Sequence, residues 1–274
     1  MAQRFDIAWC PGCGNFAIRD VLEKAFQELT LSANNIVFTS GIGQAAKMPQ
    51  YLDVNYFNGL HGRSLPLAVG IKLARPELTV IAYSGDGCNY GEGGNHFIHT
   101  IRRRLDITIL TSNNQVYGLT KGQSSPTTDF AVKNALSPQG SQNIPLNPVA
   151  LAIAMGAPFA ARGFAGDRDH LRDLIKEAIL FKGTAVVDIL QPCVSFNKIN
   201  TYQWYKERVF KLESPVKERY EALKTAELWG EKIPIGVIYR NEEFECREGK
   251  KIFRELATEE DIANQLDMSC VMMR

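Results

Sequence analysis

LTVIAYSGDG, at residues 78–87, is the stretch of sequence that decides the fold. Its first part, 78–83, is apolar and rich in β-branched and aromatic residues, which predicts a buried strand. Ser84-Gly85-Asp86-Gly87 then supplies the glycines and short polar side chains that are typical of a turn. We therefore predict a strand that runs directly into a loop carrying a carboxylate.

Three further segments show the same pattern of a short apolar run followed by a turn rich in Gly, Asn, Ser or Pro. They are 35–39 (NIVFT), 107–111 (ITILT) and 184–190 (TAVVDIL). Residues 95–104 carry apolar side chains at helical spacing between two of these predicted strands. This alternation predicts an α/β fold, a parallel sheet flanked by helices. Ligands of such sheets bind beyond the carboxyl ends of the strands, so the turns are the candidate site.

The character of the sequence changes near Phe196. Tyr202, Trp204 and many Lys and Glu residues suggest a helical extension, and the segment after Asn241 is polar enough for an arm or tail. We therefore predict one domain over residues 1–195 and a C-terminal extension and tail over residues 196–274.

Composition excludes several classes of protein. The net charge of +1 provides no basic field, so we expect neither nucleic acid nor a membrane as a partner. No apolar run approaches the roughly 20 residues of a membrane span, and the N-terminus lacks the apolar core of a signal peptide. A cytoplasmic location follows. There, the six cysteines are expected to be metal ligands, catalytic thiols or buried small residues rather than disulfides.

Two polar turns suggest a cation site. Asp86, between two glycines, and Asn113-Asn114 each follow a predicted strand. At neighbouring strand ends, the Asp86 carboxylate and the Asn114 amide oxygen can converge on Mg²⁺, which completes its shell with phosphate oxygens. Glycines let the backbone approach a diphosphate closely. Either motif alone is compatible with an ordinary turn, but together they predict a Mg²⁺–diphosphate site.

Cys10-Pro11-Gly12-Cys13-Gly14 is the second chemical signal. The loop presents two thiolates to one metal, and its glycines leave backbone amides free to bond cluster sulfurs. By spacing alone, zinc or a redox dithiol competes with an iron–sulfur cluster. Cys193, at the end of a predicted strand, favours a cluster closed across the fold.

Taken together, these motifs resemble the beta subunit of 2-oxoacid:ferredoxin oxidoreductases, which are thiamine-diphosphate enzymes. The resemblance covers about residues 5–230. The segments that carry it, in order, are 9–14 (WCPGCG), 40–43 (SGIG), 59–63 (GLHGR), 93–96 (GGNH), 114–123 (NQVYGLTKGQ) and 191–193 (QPC).

The resemblance implies a thiamine-diphosphate-binding fold and a role for each matching residue. The implied Mg²⁺ ligands are Asp86, Asn114 and the main-chain carbonyl of Val116. The residues implied to hold the diphosphate are Gly87, Cys88, Gly118 and Leu119. Those implied to line the cofactor are Ile42, Gly43, Gln44, Ala45 and His61. Lys121 matches a lysine associated with coenzyme A, and its alternative is a solvated surface lysine. His61 has a plainer alternative too, as polar packing around a buried turn.

The resemblance also implies a [4Fe–4S] cluster on Cys10, Cys13 and Cys193. The family normally supplies four cysteines, with the third in the glycine-rich turn after the first strand. Here that turn is followed by Gln44, and no cysteine occurs between Cys13 and Cys88. The candidates for the fourth ligand are Cys88, Cys246, Cys270, a non-cysteine group, or a position left open.

The activity implied by the resemblance is coenzyme A-dependent oxidative decarboxylation of a 2-oxoacid, with electrons passed to the cluster and to ferredoxin, or the reverse carboxylation. The residues that bind the cofactor's pyrimidine are missing, so an alpha subunit is expected as partner, with gamma and delta subunits in larger assemblies. The segments 44–47, 91–94 and 124–127 most resemble those of family members assigned to 2-oxoglutarate, which favours that substrate. The alternatives are a pyruvate-specific member, a non-redox thiamine-diphosphate decarboxylase or synthase subunit, and a non-catalytic electron-transfer or zinc module.

Overall fold

The computed structural model describes residues 6–134, 136–241 and 243–246. The strands in this part of the chain are β1 (Ile36–Ser40), β2 (Asn55–Asn58), β3 (Thr79–Gly85), β4 (Ile107–Asn113), β5 (Val116–Tyr117), β6 (Gln123–Ser124), β7 (Phe159–Phe164), β8 (Thr184–Leu190), β9 (Val209–Lys211) and β10 (Ile233–Arg240). The α-helices are α1 (Gly14–Glu28), α2 (Ser64–Ala74), α3 (Gly94–Arg102), α4 (Pro148–Ala154), α5 (Arg168–Leu180), α6 (Tyr202–Lys206) and α7 (Arg219–Glu227). None of these helices is long and apolar enough to cross a membrane.

Eight of the strands form one sheet in the order β2-β1-β3-β4-β8-β7-β10-β9, and β5 pairs with β6 in a separate ribbon. Neighbours in the large sheet are parallel except β7 and β10, which are antiparallel. The predicted parallel sheet flanked by helices is therefore confirmed. The four predicted strands are present as β1, β3, β4 and β8, and the predicted helix as α3.

Helices cover both faces of the sheet, which explains why its central strands read as continuous apolar runs. Helices α1 and α5 pack together on one face, where Val187 of β8 points. Helices α2, α3, α4 and α7 cover the other face, where Val186 of the same strand points. Every residue of β4 and β8 is buried as a result.

The C-terminal segment contains strands as well as the predicted helices. Strand β10 pairs with β7 and β9 with β10, so this segment extends the same sheet. Strand β10 was not predicted because Pro234 and Gly236 interrupt its apolar run. Strand β7 was not predicted because Arg162 and Gly163 interrupt its apolar run. The boundary at residue 195 stays a prediction. Cys270 and most of the predicted tail lie outside the described residues.

The order of the strands determines where the site forms. Strands β1, β3, β4 and β8 are parallel neighbours, so their carboxyl ends meet at one edge of the sheet. Gly41, Asp86, Asn114 and Cys193 follow these four ends. The fold thus gathers the predicted cation, cofactor and cysteine motifs along a single edge.

Candidate active site

Asp86 is buried at the end of β3, with 1% of its surface exposed. The hydroxyls of Ser125 and Thr127 donate hydrogen bonds to its Oδ2 at 2.5 and 2.8 Å. Burial raises the pKa of this carboxyl, and hydrogen bonds from both hydroxyls and from the backbone of Gly87 and Asn114 oppose the rise. Because two hydroxyls contact one oxygen, the carboxylate is held in a single orientation.

Asn114 lies beside this carboxylate because the chain turns sharply at the next residue. Gln115 adopts a left-handed backbone with φ 59°, and the Asn114 side-chain oxygen accepts the Val116 N–H at 3.0 Å. The Gln115 side chain holds the turn, donating to the Thr127 carbonyl at 2.8 Å and accepting from the Tyr205 hydroxyl at 3.1 Å. A strained residue fixed this firmly is typical of a functional turn. The structure thus places Asp86 against the turn that carries Asn114 and Val116.

A buried network behind Asp86 was not predicted. Asp188, on β8, accepts hydrogen bonds from the Asn113 amide at 3.2 Å and the Tyr90 hydroxyl at 3.0 Å. Burial raises the pKa of Asp188 to about 6, although nearby Arg162 favours the charged form. The Asn113 oxygen in turn lies 2.8 Å from the Thr127 hydroxyl. A carboxylate inside the apolar run TAVVDIL was the signal in the sequence for this network.

His61 and Tyr117 meet at Glu92 beside the cation pair. The His61 Nδ1 lies 3.1 Å from a Glu92 oxygen without forming a hydrogen bond. The Tyr117 hydroxyl donates to the same carboxylate at 3.2 Å, and burial together with Glu92 raises the pKa of Tyr117. The ring also packs on Gly87, where a Cβ would lie 2.3 Å from it. Only glycine fits there.

The other predicted cofactor residues differ in exposure. Ala45 is buried, while Ile42 and Leu119 are 38% and 43% exposed. These two apolar side chains lie on turns at the same edge, as a cofactor-lining surface would. Lys121 is exposed and has a left-handed backbone with φ 85°. Gly43 is also left-handed, with φ 119°.

Cys10, Cys13 and Cys193 line one cavity, which we call the cysteine cavity. Its lining residues are Trp9, Cys10, Cys13, Asn15, Gln44, Asn114, Gly118, Cys193, Val194, Ser195 and Phe196. Two thiols have weak amide donors nearby, the Gln191 side chain 3.5 Å from the Cys13 sulfur and the Phe196 N–H 3.5 Å from the Cys193 sulfur. Burial and the other two cysteines raise the pKa of the Cys13 thiol to about 11.

Two further cysteines of the described residues, Cys88 and Cys246, lie outside this cavity. The Cys88 sulfur is buried against Gly41 and accepts the Gly62 N–H at 3.2 Å. The Cys246 thiol donates to the Arg104 carbonyl at 3.2 Å, near the start of β4 and so at the opposite edge of the sheet. In the described part of the chain, no three His, Cys, Asp or Glu side chains converge as ligands of one metal ion. A cluster needs no such convergence, because its cysteines bind different irons.

Comparison with known proteins agrees with this geometry. Residues 37–189 match the thiamine pyrophosphate enzyme C-terminal TPP binding domain, and residues 193–251 match the C-terminal family of the pyruvate ferredoxin oxidoreductase beta subunit. The 2-oxoacid:ferredoxin oxidoreductase subunit beta of Saccharolobus solfataricus is 45% identical over 250 residues, covering 85% of this chain and 82% of the relative. The 2-oxoglutarate oxidoreductase subunit KorB of Mycobacterium tuberculosis is 43% identical, covering 70% of this chain and 52% of the relative.

A solved structure is also similar over nearly the whole chain. The 2-oxoglutarate:ferredoxin oxidoreductase from Magnetococcus marinus, with 2-oxoglutarate, coenzyme A and succinyl-CoA bound, superposes with a TM-score of 0.89. The match covers 97% of this chain and 94% of that chain at 32% sequence identity. Both the thiamine-diphosphate-binding fold and the family prediction are confirmed: this chain belongs to the beta subunits of the 2-oxoacid:ferredoxin oxidoreductase family.

Proposed function

We propose that this subunit binds the diphosphate of thiamine diphosphate through Mg²⁺ and holds a [4Fe–4S] cluster beside it. Asp86, Asn114 and the Val116 carbonyl would bind the cation, and Cys10, Cys13 and Cys193 would bind the cluster. The reaction is coenzyme A-dependent oxidative decarboxylation of 2-oxoglutarate, with electrons passed to ferredoxin, or the reverse carboxylation.

One observation carries the proposal: the predicted cation site and the cysteine cavity share a wall. Asn114 and Gly118 are predicted to contact Mg²⁺ and the diphosphate, and both line the cavity that contains the three cysteines. A cofactor held by these residues would therefore be adjacent to any cluster in the cavity. This proximity is what electron transfer between the two groups requires.

The residues of the cation site fit Mg²⁺ and a diphosphate. Carboxylate, amide and carbonyl oxygens are the ligands that this hard cation prefers. Asp86 is already oriented by Ser125 and Thr127, so binding needs little rearrangement. Gly87, which has no side chain, lets the Tyr117 ring pack directly against the turn that follows Asp86.

The residues of the cysteine cavity fit a cluster. Thiolates are the usual ligands of iron–sulfur clusters, and hydrogen bonds to sulfur adjust their potential. The Gln191 amide and the Phe196 N–H provide such donors. Gln44 also lines the cavity, and its buried side-chain oxygen has no hydrogen-bond partner.

When bound, thiamine diphosphate supplies the electron sink and the cluster accepts single electrons. The chain's own residues position these groups. Asp86 provides the negative charge that a cation between protein and diphosphate needs. Glu92 accepts a hydrogen bond from the Tyr117 hydroxyl and lies beside His61, so these three side chains form one polar cluster next to Gly87. Lys121, exposed on a strained turn, is proposed to contact coenzyme A.

A partner alpha subunit is proposed to complete the site, because the motifs of this chain account only for the diphosphate half of the cofactor. Two observations support 2-oxoglutarate as the substrate. The Mycobacterium tuberculosis relative is named for 2-oxoglutarate, and the Magnetococcus marinus structure contains it. Ferredoxin as the electron acceptor follows from the names of the relatives.

The test is to purify the complex anaerobically after co-expression with its alpha subunit. Thiamine, magnesium, iron and sulfide should co-purify, and the complex should oxidise 2-oxoglutarate at least about tenfold more efficiently than pyruvate, the scale of discrimination a shaped pocket provides. The subunit alone should turn over neither 2-oxoacid. Turnover by the rigorously purified lone chain would contradict the shared site, and preference for pyruvate would contradict the substrate.

A further inference from the structure

We infer that Gln44 provides the fourth protein ligand of the cluster, with its side-chain oxygen bound to one iron. This inference rests on the proposed [4Fe–4S] cluster and names the fourth ligand, which the three cysteines do not supply. It makes one iron of the cluster chemically different from the other three, because a neutral oxygen replaces a thiolate there.

The backbone holds Gln44 against the cysteine loop. The residue follows the turn after β1 and precedes the 3₁₀ helix Ala45–Tyr51. Its carbonyl accepts a hydrogen bond from the Trp9 indole at 2.8 Å, and Trp9 directly precedes Cys10. The Trp9 ring is itself fixed by edge contacts with Phe16 and Tyr51. The backbone of Gln44 is therefore anchored next to the Cys10–Cys13 loop, and the residue lines the same cavity.

The side-chain oxygen of Gln44 is buried without a hydrogen-bond partner. A buried acceptor left unpaired is costly, and such atoms in folded proteins usually face a ligand, ion or water. Iron is the acceptor's natural partner in a cavity that already contains three thiols. The unpaired oxygen and the shared cavity are independent observations, and both assign Gln44 to the cluster.

Within the described part of the chain, the competing cysteines are placed elsewhere, and Cys270 lies outside the described residues. Cys88 is tied to the Gly62 N–H outside the cavity, and Cys246 lies at the opposite sheet edge. Gln191 also has a buried oxygen without a partner, but it does not line the cavity. Its amide nitrogen lies 3.5 Å from the Cys13 sulfur, so its role is to hydrogen-bond a thiolate. Gln44 and Gln191 are thus a matched pair with different predicted roles.

The consequence is an exchangeable iron. An amide oxygen binds iron more weakly than a thiolate and carries no charge. A one-electron oxidant such as ferricyanide would convert [4Fe–4S]²⁺ to [4Fe–4S]³⁺, which then releases Fe²⁺ and leaves [3Fe–4S]⁺. Ferricyanide takes up the electron that the cluster loses in this step. One fewer anionic ligand also favours the reduced cluster, so the reduction potential should lie above that of a four-thiolate cluster.

The experiment compares three variants with the unchanged protein, each as the complete anaerobic complex. Gln44→Cys should lower the reduction potential and slow ferricyanide-driven iron loss by about tenfold or more, the scale on which metal sites respond to such changes. Gln44→Ala should accelerate the loss, and Gln203→Ala, which changes an amide on α6 outside the cysteine cavity, should leave the rate within about twofold of the unchanged protein. Iron release and the [3Fe–4S] electron paramagnetic resonance signal report each rate.

A second measurement starts from the unchanged protein, whose fold no substitution can disturb. In complex made with ¹³C-labelled glutamine, electron–nuclear double resonance of the reduced cluster should show a coupled carbon close to iron. That coupling should vanish in Gln44→Ala and persist in Gln191→Ala.

The outcomes separate this inference from the proposed function. A cluster that depends on Cys13 but shows no glutamine coupling and equal iron loss in both Gln44 variants would overturn the fourth ligand alone. If the carbon coupling disappeared only in Gln191→Ala, then Gln191 rather than Gln44 would be the fourth ligand. A complex in which Cys13→Ser removes no iron would overturn both the cluster in this subunit and its fourth ligand.

Discussion

Two regions lie side by side on the same edge of the sheet and differ in how complete they are. Around Asp86, the hydroxyls of Ser125 and Thr127 and the amide of Asn113 are joined in hydrogen bonds within the chain. In and beside the cysteine cavity, the side-chain oxygens of Gln44 and Gln191 have no partner. The cation region is held together by bonds within the protein, whereas these two side-chain oxygens of the cysteine region make none.

This difference teaches how each region should respond to substitution. A preorganised site changes its affinity in steps, because each supporting hydrogen bond contributes separately. A metal-completed site is lost as a unit, because binding and local folding are the same event. The burial-raised pKa of the Cys13 thiol agrees, since a cation is what would hold this sulfur as a thiolate.

The largest effect is expected for Asp86→Ala. Removing the charge that faces the cation should weaken Mg²⁺-dependent binding of thiamine diphosphate by at least about a hundredfold. Asn114→Ala should weaken it less, since a neutral oxygen is lost. Titration of the complex with cofactor at fixed Mg²⁺ measures both, with the exposed Asp53→Ala as control. Unchanged affinity in Asp86→Ala would remove Asp86 from the site.

For Cys13→Ser we expect the cysteine site to lose its metal as a unit. The whole cluster should be absent, as judged by iron and sulfide content, while thiamine diphosphate stays bound because Asp86 is untouched. Cys246→Ser is the matched control, since its thiol contacts the Arg104 carbonyl at the opposite sheet edge. A Cys13→Ser complex with full iron content would show that the two regions do not differ in this way.

The sequence predicted the residues proposed to bind the cation better than the residues that hold them in place. Asp86 and Asn114 were recognisable because each directly follows a short strand that is rich in apolar and β-branched residues. Ser125 and Thr127 were not assigned to Asp86, since 39 and 41 residues separate them from it and only the folded chain brings them together. The predicted parallel sheet needed no such long-range contact, because its pattern is local.

Gln44 shows the other limit of sequence reasoning. Its position predicted a cofactor-lining residue, and the absence of a cysteine there left the fourth ligand open. The hydrogen bond from the Trp9 indole, 35 residues earlier in the chain, is what ties it to the cysteine cavity. Strands β7 and β10 were missed for a different reason, because glycine, proline and arginine break their apolar pattern.

Asp188 provides an intermediate effect that depends on pH. Burial raises its pKa in the folded chain to about 6, from an ordinary value of 3.8. The folded state therefore binds this proton more tightly than the unfolded state does. Its contribution to stability is complete below about pH 4 and is lost as the pH rises through about 6.

Between about pH 4.5 and pH 7, this carboxyl alone should lower the free energy of unfolding by about 2 kcal/mol. Asp188→Asn, which keeps the shape without the charge, should lack that loss. Urea unfolding of the chain and of the variant at both pH values measures the difference, and effects common to both proteins cancel. If the free energy of unfolding changed equally with pH in the chain and in Asp188→Asn, Asp188 would not titrate in this range.

The smallest effect should come from Thr127, and it tests the stepwise behaviour of the cation region most directly. Its hydroxyl lies 2.8 Å from the Asp86 Oδ2 and 2.8 Å from the Asn113 Oδ1, yet it has one hydrogen to donate. Mg²⁺ binding requires a charged Asp86, which should draw that hydrogen toward Oδ2.

Thr127→Val keeps the volume and removes the hydroxyl, so Mg²⁺ affinity should fall about tenfold, equivalent to about 1.4 kcal/mol for one hydrogen bond to a charged group. Thr127→Ser should restore it, and Thr225→Val, whose hydroxyl bonds only within α7, should have no effect. The measurement is Mg²⁺ titration of cofactor binding. Unchanged affinity in Thr127→Val would mean that Ser125 alone orients the carboxylate, because its hydroxyl is the shorter contact with the same oxygen.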